Sequence, residues 1–150
     1  MQALLFLVDA RRCAIRLADV SEVVPAVEIT PLPGAPSMVE GVVNVRGDVL
    51  PVIALRARMG HAPRAVSSSE YFILARASTR RVILRSDTTP EIVTLGTPGE
   101  EEESDVGRAL AGVVPLADGL ALIHDVDDLL AAADDGALEG LLAHATAAAT

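Results

Sequence analysis

Lysine and tryptophan are absent from this 150-residue sequence, and cysteine and aromatic residues are scarce. The single cysteine, Cys13, excludes an internal disulfide and a cysteine-based metal cluster. Aromatic residues make up only 2% of the chain, so we expect a core of Val, Leu, Ile and Ala. With so few aromatic residues the chain lacks the side chains on which nucleic-acid bases stack. The net charge of −9 also argues against binding to phosphate groups.

Long apolar runs and targeting signals are also missing. No stretch reaches the roughly 18 apolar residues of a membrane-spanning helix. The N-terminus has neither the basic start nor the small-residue cleavage site of a signal peptide. We therefore expect a soluble, cytoplasmic protein.

Catalytic, metal-binding and cofactor motifs are not found either. His61, His124 and His144 are too far apart in sequence for the ligand spacing of a zinc site. No nucleophile elbow, phosphate-binding loop or dinucleotide fingerprint is present. The sequence therefore predicts no catalytic residues, no metal and no cofactor.

The basic residues are all arginine, and none follows Arg108. Arginine is enriched at protein interfaces, where its planar guanidinium forms paired hydrogen bonds. The arginine-bearing part of the chain is therefore the better candidate for binding another protein.

Short segments rich in Val, Ile and Leu alternate with Gly, Pro, Asp and Ser, a pattern typical of an all-β barrel or sandwich. Pro51 cannot donate a hydrogen bond to a neighbouring strand, so it predicts an edge or a bulge there. The predicted strands are 3–9, 13–18, 25–30, 41–46, 48–55, 70–77, 80–86, 91–95, 109–116 and 119–124.

Few helices are expected. Asp19 and Glu22 have the spacing of a helix cap and predict a short helix that ends before Pro25. Residues 55–59 form a second candidate, and the tail from Asp127 onward is predicted to be helical with a break at Gly136. Residues 61–69 are expected to connect two halves, and the acidic run 100–103 to form a solvated loop.

A weak internal repeat relates the two halves. Residues 41–48, GVVNVRGD, are echoed by residues 112–119, GVVPLADG, and residues 15–24 are echoed by residues 83–93. Each half runs strand, acidic turn, strand and then a glycine-led hairpin. The repeat predicts two barrel-like subdomains of related topology.

Two acidic segments have residue types found at catalytic or metal sites. Residues 87–89, Asp-Thr-Thr, resemble the Asp-Thr-Gly loop of a dimeric aspartic protease, although Thr replaces Gly and Pro90 follows. An acidic turn is the simpler interpretation, and a hydrolase using Asp87 stays a remote alternative. Asp125, Asp127 and Asp128 lack the turn glycine of a calcium loop, and Asp125 or Asp127 is instead expected to cap a helix.

Residues 41–53, GVVNVRGDVLPVI, closely resemble the signature of the CheW-like domain family. In that family a Gly-Val-hydrophobic-Asn-hydrophobic-Arg-Gly stretch enters a strand with the pattern hydrophobic-Pro-hydrophobic-hydrophobic. Residues 19–24, 30–33 and 118–130 extend the resemblance in the same order. It covers the chain to about residue 133.

The resemblance implies two intertwined SH3-like five-stranded β-barrels around a shared core, with a CheW-like domain at 1–135, a connection near 60–69 and a helical tail at 136–150. It also implies a non-enzymatic adaptor between methyl-accepting chemoreceptors and the regulatory domain of a CheA-type histidine kinase, recruited to membrane receptor arrays. By motif match, the residues that would line or support the receptor-binding groove are Val20, Glu22, Val23, Asn44, Val45, Arg46 and Gly47.

Each of these residues has an alternative structural role. Arg46 could form a fork of hydrogen bonds with a partner helix, or bridge internally to Glu22 or Asp48. Val20 and Val23 could face the groove or pack in the core. Asn44 is expected to hydrogen-bond the backbone of the turn.

Three positions depart from the family pattern. Ala54 stands where the family usually has Asp, and Arg85 and Thr88 stand where apolar residues are typical. These departures leave open a divergent adaptor of a non-flagellar motility or developmental pathway that binds only one partner.

Overall fold

A computed structural model of the chain describes residues 1–95, 110–116, 119–133 and 135–149. Within them it has ten β-strands and three α-helices, plus a 3-10 turn at Leu17–Asp19. The strands are β1 Gln2–Val8, β2 Arg11–Arg16, β3 Val20–Pro25, β4 Val39–Val45, β5 Asp48–Ile53, β6 Tyr71–Arg76, β7 Arg81–Ser86, β8 Glu91–Thr94, β9 Leu110–Leu116 and β10 Gly119–His124. The helices are α1 Leu55–Arg58, α2 Val126–Ala132 and α3 Asp135–Ala149.

The strands form two five-stranded sheets, which confirms the mainly β prediction. The first sheet has the order β8-β1-β2-β10-β9, and the second has the order β3-β6-β7-β5-β4. Neighbouring strands are antiparallel, except that β2 pairs in parallel with β10 and β5 with β7. Each sheet therefore joins two hairpins through one parallel contact.

The two halves of the chain exchange a strand. β1–β5 and β6–β10 follow the same order, but β3 pairs with β6 of the second half, while β8 pairs with β1 of the first. The predicted repeat is thus a repeat of strand order. Because each sheet contains a strand from the other half, the two halves of the chain are intertwined.

A shared core joins the two sheets. Its fully buried members include Phe6 and Ile15 of the first sheet and Ile73 and Leu84 of the second. Leu138 of α3 belongs to the same cluster, so the C-terminal helix packs on this core. Each sheet also encloses a smaller apolar cluster of its own. Burial of these aliphatic side chains is the main stabilising contribution to the fold.

Two helices fasten hairpin turns by equivalent contacts. Arg56 of α1 forms an ion pair with Asp9 in the β1–β2 turn. Asp127 of α2 accepts hydrogen bonds from the backbone nitrogen and the hydroxyl of Ser78, in the β6–β7 turn, at 2.6 and 2.8 Å. The two halves therefore share a contact between a helix and a hairpin turn, but the helix supplies a cation in the first half and a carboxylate in the second.

The prediction for residues 19–30 was wrong. The expected short helix before Pro25 is strand β3, preceded only by the 3-10 turn, and the expected strand 25–30 is reduced to a single bridge between Thr30 and Val42. Val20, Val23 and Val24 are β-branched, and β-branched residues favour a strand that can pair with a neighbour. Pairing with β6 outweighs the local capping signal.

The position of a strand irregularity and the position of a helical break also differ from prediction. Pro51 lies in β5, an inner strand between β7 and β4, and the irregularity falls on β4 between Val39 and Gly41. Gly136 lies within α3, and the helical break falls before it, since Ala133 ends α2. A glycine in a helix costs only about 1 kcal/mol relative to alanine, so Gly136 does not by itself interrupt α3. The acidic run 100–103 lies outside the described residues.

The connection after α1 agrees with expectation. Residues 61–69 link α1 to β6 without regular secondary structure, as predicted. α1 itself matches the predicted helix at 55–59. No helix in the described ranges is long and apolar enough to cross a membrane.

Gly41 packs directly beneath residues 29–30. A Cβ at this position would overlap the carbonyl oxygen of Thr30 and lie 2.8 Å from Ile29 Cγ2. Because backbone cannot yield as a flexible side chain does, we expect Gly41→Ala to lower the free energy of unfolding by about 1–3 kcal/mol. Urea unfolding would measure the change.

Gly136→Ala is the matched control, because a Cβ there meets no atom within 4 Å. We expect that variant to be neutral or slightly stabilising. If the two variants unfold at the same urea concentration, close packing against Thr30 is not the constraint on Gly41.

Candidate functional site

The β4–β5 turn is built from two residues, Arg46 and Gly47, between the paired residues Val45 and Asp48. Their φ angles are +49° and +93°, as in the type I′ turns that suit tight hairpins. Positive φ is uncommon for a residue other than glycine. Asn44 Oδ1 accepts a hydrogen bond from the Gly47 nitrogen at 2.8 Å, which confirms the prediction for Asn44 and fixes the turn.

Arg46 crosses from this turn to strand β3. Its guanidinium forms an ion pair with Glu22, and the Arg46 side chain remains 67% exposed. Of the two internal partners proposed from the sequence, Glu22 is therefore the one observed. Asp48 instead accepts a hydrogen bond from Arg81 at 2.7 Å.

Arginines that the sequence did not single out support the same region. Arg81 of β7 reaches the Ser21 hydroxyl at 3.5 Å in addition to Asp48. Arg76 of β6 donates to the carbonyl oxygens of Ala18 and Val20 at 3.0 and 3.3 Å. Together these contacts hold the start of β3 against the inner strands of the second sheet. No local pattern marks them, because they join residues about 60 positions apart.

The structure brings the predicted receptor-binding residues onto β3 and the β4–β5 turn, where the Arg46–Glu22 pair joins the two segments. Val23 is exposed by 38%, whereas Val20 is half-buried and packs against the shared core. Val45 packs against the apolar cluster of the second sheet. The exposed side chains of the site are therefore the guanidinium of Arg46, the amide of Asn44 and the aliphatic Val23.

Asp87 lies in an ion-pair network between the two sheets. Its Oδ1 accepts hydrogen bonds from Arg56 at 3.1 Å and Arg64 at 2.8 Å, and its Oδ2 accepts from the Asp9 nitrogen at 2.8 Å. Hydrogen bonding by Arg56 lowers the pKa of Asp9.

An aspartic protease needs two carboxylates that share a proton. Asp87 is instead engaged by two arginines and a backbone nitrogen of its own chain, so this geometry does not favour the hydrolase alternative. Asp125 and Asp127 are also engaged, the first as the N-cap of α2 and the second with Ser78.

Arg85, the departure noted in the sequence, is buried and paired with acids. Its Nε and Nη2 donate to the two oxygens of Glu70 at 2.8 and 3.0 Å, and its Nη1 donates to Glu40 at 2.6 Å. Nη1 also donates to the Arg64 carbonyl at 2.9 Å. Glu70 is only 1% exposed and accepts a further bond from the Ser67 nitrogen. The charge of Arg85 is therefore compensated inside the fold.

The cysteine thiol and the potential metal ligands are also chemical groups of the fold, and their burial and spacing determine what they can do. Cys13 is buried, and burial raises the pKa of its thiol to about 12, so the reactive thiolate is scarce at neutral pH. Within the described part of the chain, no cluster of three or more His, Cys, Asp or Glu side chains is arranged to hold a metal ion.

Comparison with known proteins agrees with this architecture. A family model described as "CheW-like domain" matches residues 2–134. The chemotaxis protein CheW of Rhizobium meliloti is 29% identical over 129 residues, 83% of each chain. That of Helicobacter pylori is 25% identical over 134 residues, covering 87% of this chain and 81% of the relative. The crystal structure of the scaffolding protein TtCheW from Thermoanaerobacter tengcongensis superposes with a TM-score of 0.76 at 26% identity, covering 86% of each chain.

Proposed function

This chain belongs to the CheW-like domain family, and from that membership we propose that it is a non-catalytic adaptor that couples chemoreceptors to a CheA-type histidine kinase. The observation that carries the proposal is the family match, which spans residues 2–134 and so includes both sheets. The relatives are named as chemotaxis proteins, and the solved structure as a scaffolding protein.

The proposed partners are the cytoplasmic tip of a methyl-accepting chemoreceptor and the regulatory domain of the kinase. Binding of the purified chain to both fragments from its own organism tests the proposal. Binding to both supports coupling, binding to one supports the divergent adaptor, and binding to neither contradicts the adaptor function.

We place receptor binding at β3 and the β4–β5 turn. Support for this comes from the exposed guanidinium of Arg46, on a turn held in an uncommon backbone conformation, and from the exposed Val23 on the strand that carries its partner Glu22. Non-glycine residues at such angles cluster at functional sites. The guanidinium can pair with carboxylates or carbonyl oxygens at the end of a partner helix while Val23 contacts its apolar side.

Arg46→Glu is expected to weaken binding of the receptor fragment by about tenfold or more, because it reverses the charge and places a carboxylate beside Glu22. Isothermal titration would measure the affinity, and circular dichroism would check that the fold is retained. Unchanged affinity in a folded variant would remove Arg46 from the proposed receptor site.

The exchanged pair Arg46→Glu with Glu22→Arg separates two roles of Arg46. If the arginine acts by fixing the turn to β3, restoring an ion pair of reversed polarity restores receptor affinity. If it contacts the receptor directly, the exchanged pair binds as weakly as the single variant.

A further inference from the structure

Residues 62–66, in the connection between α1 and β6, are held to the fold by polar contacts, and we call this segment the strap. None of its residues belongs to the apolar clusters of the described chain. Among the described residues its backbone forms one hydrogen bond, which the Arg64 carbonyl oxygen accepts from Arg85 Nη1 at 2.9 Å. Segments with few buried apolar contacts and few backbone hydrogen bonds open at a lower free-energy cost than the core. The strap is therefore less firmly held than the two sheets.

Arg64 fastens the strap at its midpoint. The guanidinium donates to Asp87 Oδ1 at 2.8 Å and lies 3.6 Å from Asp9 Oδ1, in the β1–β2 turn of the first sheet. The carbonyl oxygen of the same residue accepts its bond from Arg85 of β7, in the second sheet. A single residue therefore ties the strap to both sheets.

Arg56 and Arg64 contact the same two carboxylates from different environments. Arg56 also pairs with Asp9 and Asp87, but its side chain is only 9% exposed, whereas the side chain of Arg64 is 45% exposed. Breaking a buried ion pair is costly, while an exposed ion pair contributes little and is screened by salt. Arg64 can therefore release the two carboxylates while Arg56 keeps them paired.

The two residues that flank the strap are anchored independently of its midpoint. On one side, the His61 nitrogen donates to the Arg56 carbonyl oxygen at 2.9 Å. On the other side, the Ser67 nitrogen donates to Glu70 Oε2 at 2.7 Å. The middle of the strap can therefore move while both of its ends remain attached.

We propose that the strap opens and closes while both sheets stay folded, and that the guanidinium of Arg64 is the latch that holds it closed. Opening takes the Arg64 carbonyl oxygen away from Arg85, which keeps its bonds to Glu70 and Glu40. Because the latch is an ion pair at the surface, closure depends on ionic strength. The strap is thus a conformational device of the fold, and it does not depend on the adaptor function.

Backbone ¹⁵N relaxation of the full chain measures the order of the strap directly. At low salt, the strap amides of the unaltered protein are expected to have order parameters of about 0.85, as in rigid backbone, and Arg64→Met should lower them below about 0.6. The amides of the β-strands should not change. High salt should lower the order of the strap in the unaltered protein and have no further effect in Arg64→Met. Arg16→Met is the matched control, because it removes an exposed arginine at the end of β2 that lies away from the Asp9 turn.

Several outcomes would overturn the proposal. Strap amides that stay as ordered in Arg64→Met as in the unaltered chain exclude Arg64 as the latch. A loss of order that spreads to the β-strands excludes local opening, and so does a strap that is already mobile in the unaltered chain at low salt. If Arg64→Met fails to fold, Arg64→Lys replaces it, and intermediate order is expected because an ammonium keeps the charge without the planar fork of the guanidinium. The salt series on the unaltered chain needs no variant, and a strap whose order does not respond to salt also overturns the latch.

Discussion

Replacing Arg85 with methionine is expected to lower the free energy of unfolding by about 3–5 kcal/mol, because the change leaves the Glu70 carboxylate buried without its cation. Burial alone would raise the pKa of Glu70, but hydrogen bonds from Arg85 and the Ser67 nitrogen outweigh it and hold the pKa below its usual value. Urea unfolding at neutral pH would measure the loss.

Removing both charges provides the control. In Arg85→Met with Glu70→Leu the fully buried carboxylate is gone and only the more exposed Glu40 loses its cation, so most of the lost stability should return. Arg85→Lys should fall between these variants, because an ammonium cannot reproduce the two parallel bonds of the guanidinium to Glu70. If the double variant is as unstable as Arg85→Met, the loss arises from packing around the Arg85 stem and not from the unpaired charge.

Arg85 also shows where prediction from the sequence stops. Its departure from the family pattern marked it as a charge where an apolar residue is typical. Its partners Glu70 and Glu40 are 15 and 45 residues away, and only the assembled sheet brings them together. A charge that looks misplaced within a strand is therefore a sound signal for a buried network, but the sequence does not identify the network's other members.

The strand pattern was predictable because it depends on local chemistry. Alternating aliphatic residues and turn residues located nine of the ten strands, and the repeat predicted that the two halves share an order. β3 was missed because its valines and its capping residues give conflicting local signals, and the conflict is resolved by pairing with β6. The exchange of β3 and β8 between halves could not be derived from periodicity. The alternation of apolar and polar residues in a strand is the same whichever of the two sheets the strand joins.

The proposed receptor site likewise combines local features that the sequence predicted with a long-range contact that it did not. Asn44 and the Arg46-Gly47 turn are local features, and the sequence predicted both the turn and the hydrogen bond that fixes it. The sequence offered Glu22 and Asp48 equally as partners of Arg46. The choice depends on Arg81, which occupies Asp48 and leaves Glu22 to Arg46. Selection between two local alternatives by a third, distant residue is not visible in a single sequence.

The stability of the fold should also depend on pH through His124, at the end of β10. The side chain is 2% exposed, and neither ring nitrogen has a hydrogen-bond partner among the described residues. Burial, reinforced by the positive charge of Arg58, lowers the pKa of His124 to about 4. The unfolded chain therefore takes up the proton near pH 6.5, whereas the folded chain resists it until about pH 4.

His124 thus contributes no protonation penalty above about pH 6.5, and this penalty grows to about 3 kcal/mol as the pH falls from 6.5 to 4. His124→Leu removes the titrating group and both unpartnered nitrogens, so we expect equal or greater stability at pH 7.5 and a flatter profile between pH 4 and 6.5. Glu70 and Asp127, whose pKa values are lowered by their partners, lose their stabilising effect at low pH in both proteins and cancel in the difference. Parallel urea-unfolding profiles for the two proteins across this range would contradict a buried, neutral His124.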